Sequence, residues 1–432
     1  MVFSMKARHE WLQKTLAEIK DDEVIQLEKD LVCIPSYTTE EHRLAEFVGD
    51  FLADQGINVE MQEVDLPHNK RSSNQSSNNV IGRIRGSGDG PSLMFNGHMD
   101  HGPIGGRNVA DYSEWQRDPF NPVVEGDFLY GKGSQDEKGG LCAFLSAGRA
   151  IQRVGVRPRG DIVFAAVCGH KTNSVGTKAL VDAGIMTDMA INSENARNCI
   201  VPLHVGLIKA KVHIFAERHH PRYRKRFSEL CEKPTVINQS VKFVSVLGQD
   251  CEPHQLESSW LTYQPHPDLS DFPTHRIDGI ESYGYQHQAV SIYFRTVPGQ
   301  TEESVRRDLE RVLDNISSKD PNFQARVEMQ VHGLAMDTPY DAPIVATLSH
   351  FHQQVTGQEP LVGPEGRYGN YGDGSLLSAA GISTCIYGPG GRDLDYSYRV
   401  MKGELPPDEQ ISISQLLVAA RVMTLTAVEL CC

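Results

Sequence analysis

The segment from residue 93 to residue 140 most constrains the fold, because two short apolar runs in it each end in a turn of glycine and polar residues. The first run leads into His98 and Asp100, and the second leads into Asp136. In an α/β protein the carboxyl ends of the strands share one edge of the sheet, where ligand sites form. We therefore expect these three side chains to meet at such an edge.

Strand and helix patterns alternate on both sides of this segment. A helix pattern over 141–151 is followed by the continuous apolar run 161–167, which is typical of a buried parallel strand. The alternation predicts a doubly wound α/β domain with a mostly parallel sheet. Over 206–334 the pattern changes to half-exposed strands and an amphipathic helix, which predicts a small inserted α+β domain. The larger domain then comprises residues 1–205 and 335–432.

Charge and cysteine usage exclude several classes of protein. The chain has 42 basic and 56 acidic residues and a net charge of -14, without the basic cluster that nucleic acid or an anionic membrane requires. Its nine cysteines include no C-x-x-C pair, and its first residues lack the apolar core of a signal peptide. No apolar run approaches the roughly 20 residues that cross a bilayer. We expect a cytoplasmic protein without nucleic-acid or membrane partners.

The polar turns carry the spacing of a metal site. A carboxylate two residues after His98 can accept the second ring N–H of a metal-bound imidazole, which is the role expected of Asp100. Asp136 can supply an oxygen ligand from the next turn. An ordinary polar loop is the more common explanation of an isolated His-x-Asp, but its pairing with the glycine-rich turn over 131–140 favours a metal.

These turns resemble the signature of the M20 metallohydrolases, a family of carboxypeptidases, aminoacylases and deacylases. The resemblance covers nearly the whole chain and is weakest over about 218–280. It implies a metal-dependent hydrolase of C–N bonds, an inserted dimerisation or lid domain, a homodimer or higher homo-oligomer, and a cis peptide between Asp136 and Glu137. The groups that carry it are Gly97-His98-Met99-Asp100, Trp115 with Asp118-Pro119-Phe120, Leu129-Tyr130-Gly131-Lys132-Gly133 and Asp136-Glu137-Lys138-Gly139.

Family members generally hold two metal ions bridged by one aspartate. The resemblance assigns one ion to three residues that this chain retains, His98, Asp136 and Glu194. Such an ion activates water for attack on the carbon that bears the nitrogen. Mixed nitrogen and oxygen ligands fit Zn, Mn or Co.

The residues that the family uses for the second ion are missing. His170 and Lys171 stand where the family has a pair of glutamates, the first of which is the general base, and Leu405 replaces a ligand histidine. A charged lysine and a leucine cannot bind a metal. We therefore expect one divalent ion per chain, with His170 as the base and Lys171 as a fixed positive charge. A turn histidine bonded to a carbonyl is the other interpretation of His170.

Further site residues are implied by the resemblance alone. His220, or its neighbour His219, matches a small-domain histidine that reaches a partner subunit's active site, although a solvated loop fits as well. Backbone N–H groups of a glycine loop can hold a substrate carboxylate, and so can an arginine, unless that arginine only forms a surface ion pair. The candidates for substrate binding are Arg367, Asp373, Gly388 and Gly390.

The departures from the family pattern bear on the substrate, which we expect to be a small molecule with a carboxylate. One outlying family member removes the amino group of an aromatic acid, 5-nitroanthranilate, and a single-metal site would suit that reaction. An aromatic amine is therefore one candidate substrate. Two alternatives stay open: a conventional two-metal deacylase or dipeptidase whose second site uses Glu137, Asp373 or Glu404, and an inactive binding protein on the same scaffold.

Overall fold

The structure is a computed structural model, and the chain in it divides into two compact units. One unit comprises Met1–Leu203, Asp337–Arg367 and Gly372–Cys432, and the other comprises His204–Met336 and Tyr368–Tyr371. The structure describes residues 5–66, 76–102, 115–216, 234–248, 261–262, 266–269, 273–364, 372–391, 399–400 and 402–432.

The regular elements follow the alternation that the sequence predicts. The helices are α1 (Met5–Glu18), α2 (Asp21–Val32), α3 (His42–Asp54), α4 (Gly139–Val154), α5 (Val175–Asp182), α6 (Val236–Val246), α7 (Glu302–Lys319), α8 (Pro343–Thr356), α9 (Gly374–Ala379) and α10 (Ile413–Cys431). The strands are β1 (Asn58–Asp65), β2 (Ser76–Ile84), β3 (Leu93–His98), β4 (Val123–Glu125), β5 (Phe128–Tyr130), β6 (Ile162–Val167), β7 (Met189–Asn192), β8 (Leu203–His204), β9 (Gly206–Phe215), β10 (Thr274–Ser282), β11 (His287–Thr296), β12 (Gln324–Gly333), β13 (Met336–Asp337), β14 (Ser383–Ile386) and β15 (Gln410–Ser412).

The larger unit is built on a six-stranded sheet with the order β1-β2-β6-β3-β7-β14. Strands β6, β3, β7 and β14 are parallel, whereas β1 and β2 form an antiparallel edge. All residues of β3, β6 and β7 are buried, as expected of parallel strands covered on both faces. The mostly parallel α/β fold predicted from the sequence is confirmed.

Apolar side chains fill both faces of this sheet. On one face the rings of Phe95 of β3, Phe144 of α4 and Phe164 of β6 contact one another, with centroids 6.0 and 5.5 Å from that of Phe95 and 6.3 Å between the other two. On the other face Met94 packs in a second cluster with Leu377 of α9. Since successive side chains of a strand point to opposite faces, the run Leu-Met-Phe of β3 supplies both layers.

Helix α10 runs through the interior of the larger unit. Among the described residues it is the one helix long and apolar enough to cross a membrane, and 61% of its apolar window is buried. Its contacts with α4 and α8 account for that burial. The helix therefore reads as a core element.

The smaller unit is an antiparallel four-stranded sheet with the order β10-β11-β9-β12. Helices α6 and α7 contribute Phe243 and Leu309 to an apolar cluster with the inward residues of β9 and β11. Both helices begin in a capping box, at Thr235 and Thr301, where side chain and backbone satisfy each other's hydrogen bonds. We retain the role of this unit as a dimerisation or lid domain as a proposal.

Candidate metal centre

The candidate residues gather at the carboxyl ends of three adjacent parallel strands. His98 is the last residue of β3, His170 lies in the turn after β6, and Glu194 follows β7. Asp136 comes from the turn segment Ser134–Lys138, immediately before α4. Because β6, β3 and β7 are neighbours, their ends deliver side chains to one place, as the sequence predicts for this fold.

A glycine allows the turn that carries Asp136 to approach the end of β7. A Cβ atom at Gly140 would lie 2.2 Å from the carbonyl oxygen of Ser193, so any other residue would push the start of α4 away. Within this turn the peptide bond between Asp136 and Glu137 is cis, which confirms the prediction from the resemblance.

The two imidazoles lie side by side against one carboxylate. The rings of His98 and His170 stack with centroids 4.3 Å apart and planes 6° apart. Glu194 Oε1 lies 3.6 Å from His98 Nε2 and 3.7 Å from His170 Nε2. Among the described residues these three form the group of possible ligands whose donor atoms all lie within 4.8 Å of one another.

The ammonium group of Lys171 contacts the carboxylate of Asp136. Its Nζ lies 3.0 Å from both carboxylate oxygens of Asp136, and Asp136 Oδ1 in turn lies 3.0 Å from His98 Nε2. Burial acts to lower the pKa of Lys171, but the negative charge of Asp136 outweighs it and the pKa is raised. The ammonium group therefore stays charged at neutral pH.

Asp100 fastens the β3 end to the turn after β6. Its Oδ1 lies 3.6 Å from His98 Nδ1, which is too long for a hydrogen bond, so the orienting bond expected from the sequence is absent in this geometry. Its oxygens instead accept the backbone N–H groups of His170, at 2.8 Å, and Lys171, at 3.0 Å. Asp100 thus positions the backbone of His170, the predicted base, and of Lys171, the predicted positive charge.

Asp373 lies in the interior beside His170 and not on an open substrate surface. It is 1% exposed. Its two oxygens contact His170 Nδ1 and Thr177 Oγ1, each at 2.6 Å. Burial acts to raise the pKa of Asp373, but the charge of His170 and these hydrogen bonds lower it to about 2. Both oxygens of this carboxylate thus have partners within the protein, and a role of Asp373 in substrate binding stays a prediction.

The glycine loop is also engaged by the protein. A Cβ at Gly388 would lie 2.1 Å from Ser193 O, so this glycine is required for packing. The N–H of Gly390 donates to Gln415 Oε1 at 3.0 Å, which occupies the group predicted to hold a carboxylate. Predictions for His220 and Arg367 lie outside the described residues.

Two acidic residues were given no ligand role by the single-ion reading, yet they shape the site. Glu137 is buried, accepts the backbone N–H of His98 at 3.1 Å, and has its pKa raised to about 8 by burial, in part offset by the charge of His98. Glu409 accepts hydrogen bonds from the backbone N–H groups of Gln135 and Asp136 and forms an ion pair with Lys132. The only sequence signal for Glu409 was its place in the segment Glu404–Glu409. Glu404 itself is exposed and pairs with Arg399.

The donors fit a divalent cation. Both ring nitrogens of His98 are buried and lack a hydrogen bond of normal geometry, although Nε2 faces Asp136, Glu137 and Glu194 at 3.0, 3.4 and 3.6 Å. An imidazole surrounded by carboxylates without a hydrogen bond is the arrangement expected of a metal ligand. Imidazole with carboxylate is a donor set that Zn, Mn and Co accept.

Comparisons with known proteins identify the family. Residues 94–429 match the family model described as Peptidase family M20/M25/M40, so the chain belongs to that family. It is 25% identical to the N-formyl-4-amino-5-aminomethyl-2-methylpyrimidine deformylase of Bacillus subtilis, over 95% of both chains. Family membership makes the protein a metal-dependent hydrolase of C–N bonds, as predicted from the sequence.

Two solved structures share the fold. The aminopeptidase PepT of Bacillus cereus superimposes with a TM-score of 0.69 at 16% identity, over 96% of this chain and 99% of that one. The Bacillus subtilis YXEP protein, described as a dinuclear metal binding peptidase from the M20 family, gives 0.63 at 14% identity, over 95% and 98%. At these identities the likeness extends to the fold and not to the substrate.

Proposed function

We propose that the protein hydrolyses an amide C–N bond of a small molecule with a single divalent metal ion. His98, Asp136 and Glu194 would hold this ion. The observation that carries the single-ion proposal is the contact of Lys171 Nζ with both oxygens of Asp136 at 3.0 Å. The positive charge of the ammonium group beside Asp136 repels a second cation at this carboxylate. Here the lysine ammonium supplies the second positive charge.

The contacts of three other carboxylates argue against the two-metal alternative. Asp373 has both oxygens occupied by His170 and Thr177. Glu404 is exposed and paired with Arg399. Glu137 accepts Ser193 Oγ and the backbone of His98. Each of the carboxylates considered for a second site is thus engaged elsewhere.

The chain's own residues bind and orient in this mechanism. When bound, the divalent ion polarises the amide carbonyl and activates water. His98, Asp136 and Glu194 would hold the ion, and the charge on Lys171 Nζ would stabilise negative charge as it develops on the substrate oxygen. Backbone N–H groups bound by Asp100 keep Lys171 beside Asp136.

An N-acyl amine is the substrate class that we favour. The deformylase relative aligned along nearly the full length of both chains removes a formyl group from an amine, by its name. An aromatic amine that loses its own amino group is the second candidate, and the replacement of a second ion by Lys171 favours it. Attack on a ring carbon differs from attack on an acyl carbon, so the single-ion site leaves both reactions open to test.

Metal content tests the centre. We expect one equivalent per chain in the wild type, none in His98→Ala, and one in the control His350→Ala, which removes an exposed histidine of α8. Two equivalents in the wild type would restore the two-metal reading. An equal metal content in His98→Ala would contradict the site.

Product detection tests the reaction. Purified protein, before and after a chelator, is offered formyl, acetyl and succinyl amides and a panel of aryl amines. We expect free carboxylate from the amides, lost on chelation and recovered with Zn, Mn or Co. Ammonia from aryl amines alone would favour the second candidate, and turnover of neither class would favour the inactive binding protein. The cytoplasmic location and the homo-oligomer stay predictions.

A further inference from the structure

We propose that Glu41 is a positioning residue of the candidate metal centre and holds the turn that carries His170 and Lys171. The inference rests on the proposed function, in which this turn supplies the predicted base and the positive charge beside Asp136. Glu41 lies in the linker between α2 and α3, immediately before α3, and its side chain is fully buried. It would act on the reaction through the turn.

The backbone of this turn, residues 168–174 after β6, needs support from other segments. Gly169 has a φ of 63°, and two residues that are not glycine, Asn173 and Ser174, have φ of 65° and 54°. A left-handed conformation is costly for a residue with a Cβ atom and persists only where the surrounding structure fixes it. Hydrogen bonds from other segments therefore determine where the side chains of the turn lie.

Four consecutive backbone N–H groups at the start of the turn each donate to a side-chain oxygen of another segment. The pairs are Cys168 with Asn79 Oδ1 at 3.0 Å, Gly169 with Glu41 Oε1 at 3.0 Å, His170 with Asp100 Oδ1 at 2.8 Å and Lys171 with Asp100 Oδ2 at 3.0 Å. Glu41 thus holds the residue immediately before the predicted base. A buried N–H without an acceptor is costly, so the turn would move if Glu41 were lost.

Glu41 is itself fixed by neighbouring segments. Its Oε1 also accepts the backbone N–H of Thr39 at 3.0 Å, and its Oε2 accepts the hydroxyl of Ser77 of β2 at 3.0 Å. From the same linker, Thr38 Oγ1 donates to Asp100 Oδ2 at 2.9 Å. The linker before α3 therefore secures both carboxylates that hold the turn.

The turn needs an oxygen acceptor at position 41 more than it needs a charge. Burial and the charge of Asp100 raise the pKa of Glu41 to about 7, although hydrogen bonds from backbone N–H groups act to lower it. Protonated or ionised, the carboxyl keeps an oxygen that accepts from Thr39 and Gly169. A glutamine amide has such an oxygen too, and its NH₂ group can donate to Ser77 Oγ. Glu41→Gln is therefore the conservative variant.

Amide hydrogen exchange and turnover test the role together. In the metal-free protein, Glu41→Ala should speed exchange of the N–H groups of 168–171 by about 10-fold, since one buried hydrogen bond is lost. With metal bound, it should lower kcat about 10-fold on the amide or aryl amine that the wild type cleaves. The affinity for Mn²⁺ should stay unchanged, because His98, Asp136 and Glu194 lie on other turns. Glu41→Gln should restore both exchange and kcat.

Asp161→Ala is the matched control. Asp161 lies immediately before β6, at the opposite end of the strand from the turn, and its Oδ1 accepts the backbone N–H of Gly86 at 2.9 Å. The control therefore also removes a carboxylate that holds a backbone N–H. It should change neither the exchange of 168–171 nor kcat. Thermal unfolding of each variant monitors folding.

The outcomes separate the inference from the proposed function. Faster exchange and a lower kcat in Glu41→Ala, both restored in Glu41→Gln, support the inference. Wild-type exchange or a wild-type kcat in Glu41→Ala would overturn it and leave the proposed function standing, and so would an equal fall of kcat in Asp161→Ala. A wild type that cleaves neither substrate class would overturn the proposed function, and exchange then decides the inference. If Glu41→Ala fails to fold, Glu41→Asp decides, since its carboxylate is retracted by about 1.5 Å and should give the same faster exchange.

Discussion

Replacing Lys171 by methionine should allow a second cation to bind beside Asp136. In the wild type the ammonium group of Lys171 repels a cation at this carboxylate. Two unit charges about 4 Å apart repel each other by about 4 kcal/mol at an effective dielectric constant of about 20, and the double charge of the ion raises this to about 8 kcal/mol. The side chains of Lys171 and Asp136 are 32% and 41% exposed, so water screens most of that repulsion. About 2 kcal/mol remaining corresponds to roughly 30-fold in affinity.

Equilibrium dialysis against increasing Mn²⁺ measures this change. The wild type should bind one ion, and Lys171→Met should bind a second one at least about 30-fold more tightly than any second ion in the wild type. Lys14→Met is the control, because it removes an equally charged lysine from an exposed pair with Glu10 at 2.6 Å. Identical binding curves for the wild type and Lys171→Met would refute the reasoning.

Two further predictions concern stability. Asp161 accepts hydrogen bonds from Arg83 and the backbone of Gly86, and although burial acts to raise its pKa, these contacts lower it. A carboxyl with a lowered folded-state pKa stabilises the protein above its unfolded pKa and loses that contribution as the pH falls through the folded value. Asp161→Asn should therefore lower the free energy of unfolding by about 1–2 kcal/mol at pH 7, and the difference from wild type in urea titrations should vanish in acid. Phe95→Ala removes a fully buried ring. It should cost about 3–5 kcal/mol in the same assay, and a loss under 1 kcal/mol would contradict the aromatic stack.

The fold was predictable because its strongest signals are local. The apolar run of β6 by itself predicts a buried parallel strand, because the pattern lies within one short segment. His98 is predictable for the same reason, since a histidine at the end of such a strand must lie at the sheet edge. Asp136 follows because its glycine-rich turn begins the next helix.

The pairings within the site were not predictable, because they join distant turns. His170 and Asp373 are 203 positions apart, and no periodicity relates one turn to the other. Asp100 was expected to orient His98, two residues away, whereas its oxygens bind backbone groups 70 and 71 positions later. A spacing in sequence identifies which residue types can bind, and only the packing of the strands decides which partner each one meets.

The dual hold of Asp100 has a consequence for genetics. Because one carboxylate secures the backbone of His170 and of Lys171, its loss would release an imidazole and an ammonium together. A substitution of Asp100 and a substitution of His170 or Lys171 would then disrupt some of the same interactions. Their combined effect should fall short of the sum of the separate ones, a coupling that double-mutant cycles measure between residues of one network.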